Sequence, residues 1–189
     1  MLNHKGTSIL KTNKFILRPF TSEDIMDMYY NWASDKEVAK YLTWKPHSNI
    51  NKTNKVVTLW KNYYKNKDYY NWAIEEKYSG SVIGSVNIMN LDSYNENCEV
   101  GYCIGKKFWN QSIMTEVLNA IIDFSFTEVK FERITARRHI NNIACGMLLK
   151  KCGFVYEGTL RKIIKDNKGN FVDCKYYSIL KSEYIDKKL

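Results

Sequence analysis

Glu99-Val100-Gly101-Tyr102-Cys103-Ile104-Gly105-Lys106-Lys107-Phe108-Trp109-Asn110-Gln111-Ser112-Ile113-Met114-Thr115-Glu116 is the stretch on which the fold turns. Its first part alternates. Val100, Tyr102 and Ile104 face one way, and Glu99, Gly101 and Cys103 the other, which predicts a strand over 98–104. Its last part opens a helical stripe. Ile113, Val117, Ile121 and Phe124 recur at spacings of 4, 4 and 3, and Met114, Leu118 and Ile122 widen the face. A strand, a loop over 105–109 and a helix over 110–127 are therefore expected. Such a unit aims unpaired helix N–H groups at the end of a sheet, where they attract an anion. No acid precedes Glu116 in the first turn, and Lys106 and Lys107 lie just ahead of it. An ordinary amphipathic helix has the same pattern, so the segment alone names no ligand.

Working back towards the N-terminus, residues 82–89 alternate, with Val82, Gly84, Val86 and Ile88 on one side. Tyr70–Glu75 is strand-like, and Tyr78-Ser79-Gly80 is a turn between the two. With 98–104 these make an antiparallel meander. A helix after Pro46 carries Val56, Leu59, Trp60 and Tyr63 on one stripe, and a shorter one from Asp35 carries Val38, Tyr41 and Leu42. Thr21-Ser22-Glu23-Asp24 opens the first helix with a capping hydroxyl and acids in the first turn. Lys14–Arg18 is a strand closed by Pro19. Towards the C-terminus come a strand at Arg133–Arg138 and a helix at 142–151 that Asn142 can cap and Gly153 can end. Strands over 154–164 and 171–180 then flank the turn Asp166-Asn167-Lys168-Gly169-Asn170. The order β-α-α-α-β-β-β-α-β-α-β-β implies an α/β (α+β) fold with a mixed central sheet of about 6–7 strands and helices on its faces.

The 189 residues suffice for one domain, and neither a repeat nor a low-complexity linker divides them, so a single domain over 1–189 is expected. No run of 18 apolar residues exists, and Met1-Leu2-Asn3-His4-Lys5-Gly6 has no apolar stretch of the signal-peptide kind. A cytoplasmic protein with no membrane partner is the expectation. The net charge is +9, carried by 24 lysines and five arginines. The lysines accompany 19 asparagines and many isoleucines and tyrosines, the pattern of a coding bias. A nucleic-acid surface draws more on arginine. Nucleic acid is thus an unlikely main partner, whereas a small polyanion fits the charge equally well. Five cysteines, an odd number with no CxxC pair, and three scattered histidines offer neither a disulfide framework nor metal-ligand spacing, so no metal is expected.

Taken together, these segments resemble the GNAT (GCN5-related) N-acetyltransferase superfamily, over about residues 12–184. The branch they resemble is that of the ribosomal-protein N-terminal (alanine/serine) acetyltransferases. The resemblance rests on Phe15-Ile16-Leu17-Arg18-Pro19-Phe20 with Asp24, on Asp35-Lys36-Glu37-Val38-Ala39-Lys40-Tyr41-Leu42, and on Trp44-Lys45-Pro46-His47. It continues through Ile83-Gly84, Glu99-Val100-Gly101-Tyr102 and Phe108-Trp109-Asn110-Gln111 with Met114-Thr115-Glu116. It ends with Asn142-Ile143-Ala144-Cys145, Lys151-Cys152-Gly153-Phe154 and Glu157-Gly158-Thr159-Leu160-Arg161. No piece is specific alone; their order is specific for fold and co-substrate, less so for acceptor.

The resemblance implies a sheet splayed between 98–104 and 133–138, with acetyl-CoA in the opening and the amine entering from the opposite side. Tyr102, Cys103 and Ile104 then lie along the pantetheine arm. Asn110, Gln111, Ser112, Ile113, Met114 and Thr115 cradle the pyrophosphate, and Asn142 also belongs to the cofactor side. Two departures stand out. Ser112 occupies a position where the family has glycine, whose lack of a Cβ lets backbone N–H groups approach a phosphate. Leu149 occupies the position of the tyrosine that many members use as general acid. Glu99 is the candidate base, acting through water, and Cys145 the candidate partner of the leaving thiol. Direct transfer in a ternary complex is expected, by a monomer or homodimer. The acceptor stays open between a protein N-terminus, a polyamine, an aminoglycoside and a small amine. A CoA-binding domain with impaired catalysis and a basic nucleic-acid module are the alternatives.

Overall fold

In the computed structural model, which describes residues 1–186, eight strands form one sheet. They are β1 (Leu10–Lys11), β2 (Phe15–Arg18), β3 (Tyr70–Glu76), β4 (Val82–Asp92), β5 (Asn97–Ile104), β6 (Arg133–His139), β7 (Val155–Lys165) and β8 (Phe171–Leu180). Their order across the sheet is β1-β2-β3-β4-β5-β6-β8-β7. Every neighbouring pair is antiparallel except β5 and β6. Seven of these strands match the sequence reading. The eighth, β1, has only two residues, too few to show a period of 2.

The helices are α1 (Ile25–Met28), α2 (Lys36–Ala39), α3 (Ile50–Tyr63), α4 (Ile113–Phe124), α5 (Ile143–Lys151) and α6 (Lys181–Asp186). Local chemistry sets their starts. Thr21 Oγ1 accepts from Glu23 N–H, and Asp24 Oδ2 accepts from Thr21 N–H at 2.7 Å, a capping box. Asn49 Oδ1 accepts from Lys52 N–H at 3.1 Å ahead of α3, and Asn142 Oδ1 from Cys145 N–H at 3.2 Å ahead of α5. Gly153, at φ 92°, ends α5 as expected.

Three details differ from the sequence reading. First, α4 begins at Ile113, not at Asn110, because Asn110 and Ser112 take left-handed φ values of 60° and 58°. Second, α3 is rotated. Thr53 and Val57 face the core, whereas Leu59 and Tyr63 are 51% and 44% exposed. Tyr64 anchors this rotation: its hydroxyl accepts from Phe20 N–H at 2.9 Å and donates to Asn71 O at 2.8 Å. Third, a bulge opposite Ile74 and Glu75 shifts the register of β4, so Val82 joins a different face from Val86 and Ile88.

The sheet carries a core on each face. On one, α4 buries Val117, Leu118 and Ile121 completely against Val100, Ile134 and Trp72. Each such side chain contributes about 1.5–3 kcal/mol. On the other, α1, its wider-wound continuation Tyr29–Ala33 and α3 pack Phe20, Met28, Trp32 and Val57. Arg18 ties β2 to the first helix, donating to Asp24 from Nη1 (2.8 Å) and Nη2 (2.9 Å), and it also pairs with Glu75. Asp24 is buried and accepts from Thr21 as well. Replacing Asp24 by alanine leaves Arg18 only Glu75 as a carboxylate partner and removes the Asp24 half of the capping box. Urea unfolding of Asp24→Ala is expected to show a loss of about 3 kcal/mol.

Candidate active site

Strands β5 and β6 pair over three rungs only: Asn97 with Arg133, Cys98 with Ile134 and Glu99 with Thr135. From Val100 onward β5 pairs with β4 alone, and from Ala136 onward β6 pairs with β8 alone. The sheet therefore opens between them. A cavity of about 640 Å³ occupies the opening on the side of α4 and α5. A second, of about 540 Å³, lies towards α1 and α3. Six residues line both: Tyr41, Leu42, Tyr102, Cys103, Asn142 and Cys145.

The first cavity brings together Tyr102, Cys103, Ile104, Asn110, Gln111, Ser112, Ile113, Met114, Thr115, Asn142 and Cys145. Its end at the start of α4 is built by backbone. Thr115 N–H and Glu116 N–H return to the Ser112 carbonyl, and Ser112 puts no side-chain cap on α4. The N–H groups of Ile113 and Met114 are left at the open helix end. Lys151 reaches over from α5, its Nζ donating to Ser112 Oγ at 3.2 Å. Trp109 fixes the loop, donating from Nε1 to Ile104 O at 3.0 Å. An uncapped helix end, an ammonium beside it and an unpaired strand edge fit a pyrophosphate with an amide-bearing arm.

At the junction, the Tyr102 hydroxyl lies 3.1 Å from Cys145 Sγ, bridging β5 to α5 across the opening. Burial, and then Cys145, hold the Tyr102 phenol well above its ordinary pKa; burial also raises the Cys145 thiol. Both are therefore protonated at neutral pH, and Cys145 is no thiolate nucleophile. Leu149 is fully buried.

Glu99 lies apart from the first cavity and lines the second. It is buried; its Oε1 pairs with Arg137 Nε at 3.0 Å, and its Oε2 accepts from Asn90 Nδ2 at 3.0 Å. Gly101, next on the same face of β5, leaves room for the neighbouring strand: a Cβ there would collide with Met89 Cε and Asn87 Oδ1. Sequence reasoning missed Lys151, Arg137, Asn90 and the residues of 40–42 as parts of the site. Lys151 and the 40–42 segment stand within stretches that carried the resemblance, but no period or spacing marks their roles. Among the described residues, no group of three or more His, Cys, Asp or Glu side chains is arranged to hold a metal ion. No helix among them is long and apolar enough to cross a membrane.

The acetyltransferase (GNAT) domain family matches residues 14–155. The chain belongs to the GNAT acetyltransferases. An uncharacterized N-acetyltransferase of Bacillus licheniformis, p20, is 29% identical over 175 residues, 93% of this chain and 97% of that protein. YdaF of Bacillus subtilis, whose name provisionally places it among ribosomal N-acetyltransferases, is 32% identical over 111 residues, 59% of this chain and 60% of that protein. Among solved structures, the microcin C7 self-immunity acetyltransferase MccE, in complex with acetyl-CoA and AMP, superposes with a TM-score of 0.79. It is 22% identical, with 89% of this chain and 93% of that one covered. This GNAT chain is accordingly an acetyl-CoA-dependent N-acetyltransferase.

Two substitutions probe the end of the first cavity at α4. Lys151→Met removes the ammonium beside Ser112 and is expected to raise the acetyl-CoA Kd roughly fivefold to tenfold, about 1–1.4 kcal/mol. Ser112→Gly suits the left-handed φ, removes the Cβ and frees Lys151, so the Kd should fall by about twofold to fivefold. Calorimetric titration reads both.

Proposed function

We propose that this protein transfers the acetyl group of acetyl-CoA to a primary amine by direct attack in a ternary complex, as a single GNAT domain. The acceptor in this reading is the N-terminal α-amine of a polypeptide, a ribosomal protein foremost. The meeting of two cavities at Tyr102, Cys103 and Cys145 carries the reading. One side is suited to a diphosphate ligand; the other is a separate approach to the same point. The name of YdaF supports a ribosomal acceptor. Five unpaired cysteines fit a reducing cytoplasm.

The chemistry follows from what stands at the junction. The amine lone pair attacks the thioester carbonyl, whose developing oxyanion is served by backbone N–H groups along the unpaired edge of β5. Glu99 attracts the alkylammonium and takes its proton through water. The tetrahedral intermediate collapses, the C–S bond breaks and the electron pair goes to sulfur. Cys145, carrying the Tyr102 hydroxyl, is the protonated group beside the leaving thiolate. The buried Leu149 supports the alternative of an impaired CoA-binding domain, since that helix position offers no proton donor.

CoA release from acetyl-CoA, followed with a thiol reagent, separates the two when an N-terminal peptide is added. The reading expects amine-dependent release; the alternative expects binding alone. Acetyl-CoA at a hundred times its Kd should stabilise the fold by about 2.7 kcal/mol in either case. General-base help is typically ~10²–10⁴-fold, and part of an α-amine is already neutral at pH 7. Glu99→Gln should therefore lower kcat at least about tenfold and leave the acetyl-CoA Kd unchanged. The loss should shrink as pH rises and the amine deprotonates unaided. Turnover at the parent rate at pH 7 would remove Glu99 from the mechanism.

A further inference from the structure

The acceptor-side cavity is built for more than an amine. Trp44 and Trp60, both half-buried, line it in front of the buried Trp32. Trp60 is held by Phe20, ring centroids 4.9 Å apart. Beside Trp44, at 5.9 Å, sits the buried imidazole of His47. Its Nδ1 lies 2.8 Å from Thr53 Oγ1, and Thr53 is fully buried. That contact fixes the ring, and Nε2 has no hydrogen-bond partner among the described residues. Burial, and then Lys52, lower the His47 pKa, so the ring is neutral at pH 7.

The charges in the cavity are already matched. Glu99 is its single carboxylate among the described residues, and Arg137 and Asn90 already occupy its two oxygens. Arg138, the next residue of β6, turns to the opposite face, where its guanidinium packs against Gly146 of α5 and the Tyr177 hydroxyl and donates to the carbonyls of His139 (3.1 Å) and Ile140 (2.7 Å). The one anion of this face is thus already matched by one fixed cation. An acceptor with several ammonium groups would bring its second charge beside Arg137 with no further carboxylate to meet it, which is costly. Tryptophan faces also attract cations, but they do so weakly compared with an unmatched buried charge.

Resting on the acetyl-transfer reading above, we propose that the acceptor is a primary amine carrying one flat apolar group and no second cationic centre. The flat group lies between Trp44 and Trp60, and His47 Nε2 is the hydrogen-bonding group at that end. A peptide N-terminus followed by an aromatic residue meets this description; a polyamine or aminoglycoside does not.

The test compares 2-phenylethylamine, ethylamine and spermidine, together with two hexapeptides that differ only in Phe or Lys at the second residue. CoA release gives kcat/KM for each. Burying a phenyl ring is worth about a tenfold preference or more. The expected result is 2-phenylethylamine over both ethylamine and spermidine, and the Phe peptide over the Lys peptide, by at least about that factor. Trp60→Ala should erase the preference without changing the acetyl-CoA Kd. Trp44→Ala makes the same test should Trp60→Ala, which loses its Phe20 contact, fail to fold. Spermidine or the Lys peptide turning over as well as its aromatic counterpart overturns the proposal. So does a preference that survives the tryptophan replacement. CoA release with none of these amines, while acetyl-CoA still binds, would instead defeat the acetyl-transfer reading on which the proposal rests.

Discussion

Three rungs of parallel pairing between Asn97–Glu99 and Arg133–Thr135 decide where the sheet holds and where it opens. Beyond them, β5 and β6 each keep one neighbour, and their facing edges are left without strand partners. A buried edge with unpaired backbone groups is costly unless something else satisfies it. Here Tyr102 leans across the opening to Cys145, and the rest of the edge faces cavities that a ligand arm can enter. The two cores explain why the opening persists. On one face α4 packs against β5 through Val100, and on the other Trp32 and Val57 pack beneath α1 and α3. Closing the strands would displace side chains that are already fully buried.

The same opening sorts charge. At the α4 end, exposed Lys40, Lys106, Lys107 and Lys151 surround or approach the loop that leads into α4. Part of the +9 charge is thus gathered where a polyanion would dock, which tempers a nucleic-acid reading of the composition. At the other end the charges are fewer and fixed: buried Glu99 is paired with half-buried Arg137. Exposed lysines attract at range and are screened by salt; buried pairs discriminate at contact.

Most of the fold was legible in the sequence because its strands alternate and its helices carry caps. The 98–104 alternation placed Val100 and Ile104 in the core with α4 and Glu99 and Gly101 on the far face, as found. What escaped notice has physical causes. A two-residue strand has no period, the β4 bulge reverses the alternation at Val82, and Tyr64 rotates α3 through hydrogen bonds that a hydrophobic stripe does not encode. Within the site, most of the predicted residues that line the first cavity are nearly contiguous in sequence, from Tyr102 to Thr115, and could be read as one unit. Lys151, Arg137 and Asn90 reach it from α5, β6 and the end of β4, and only tertiary packing brings them there.

Ser112 shows how a left-handed turn can be held by a residue other than glycine. Its φ of 58° is the left-handed value that glycine adopts freely, and a serine there costs about 1 kcal/mol. The conformation survives because both sides of it are held. Trp109 pins the preceding loop to the end of β5, and the Ser112 carbonyl accepts from Thr115 and Glu116 to start α4. Lys151 adds a hydrogen bond to the side chain that glycine would lack. The strain is therefore local and carried by the loop, while the helix end stays uncapped and open. An alternative in which Ser112 folded back as an ordinary N-cap would satisfy α4 internally and close off its free N–H groups. The left-handed turn prevents that, because it points the hydroxyl at Lys151 instead of at the helix N–H groups.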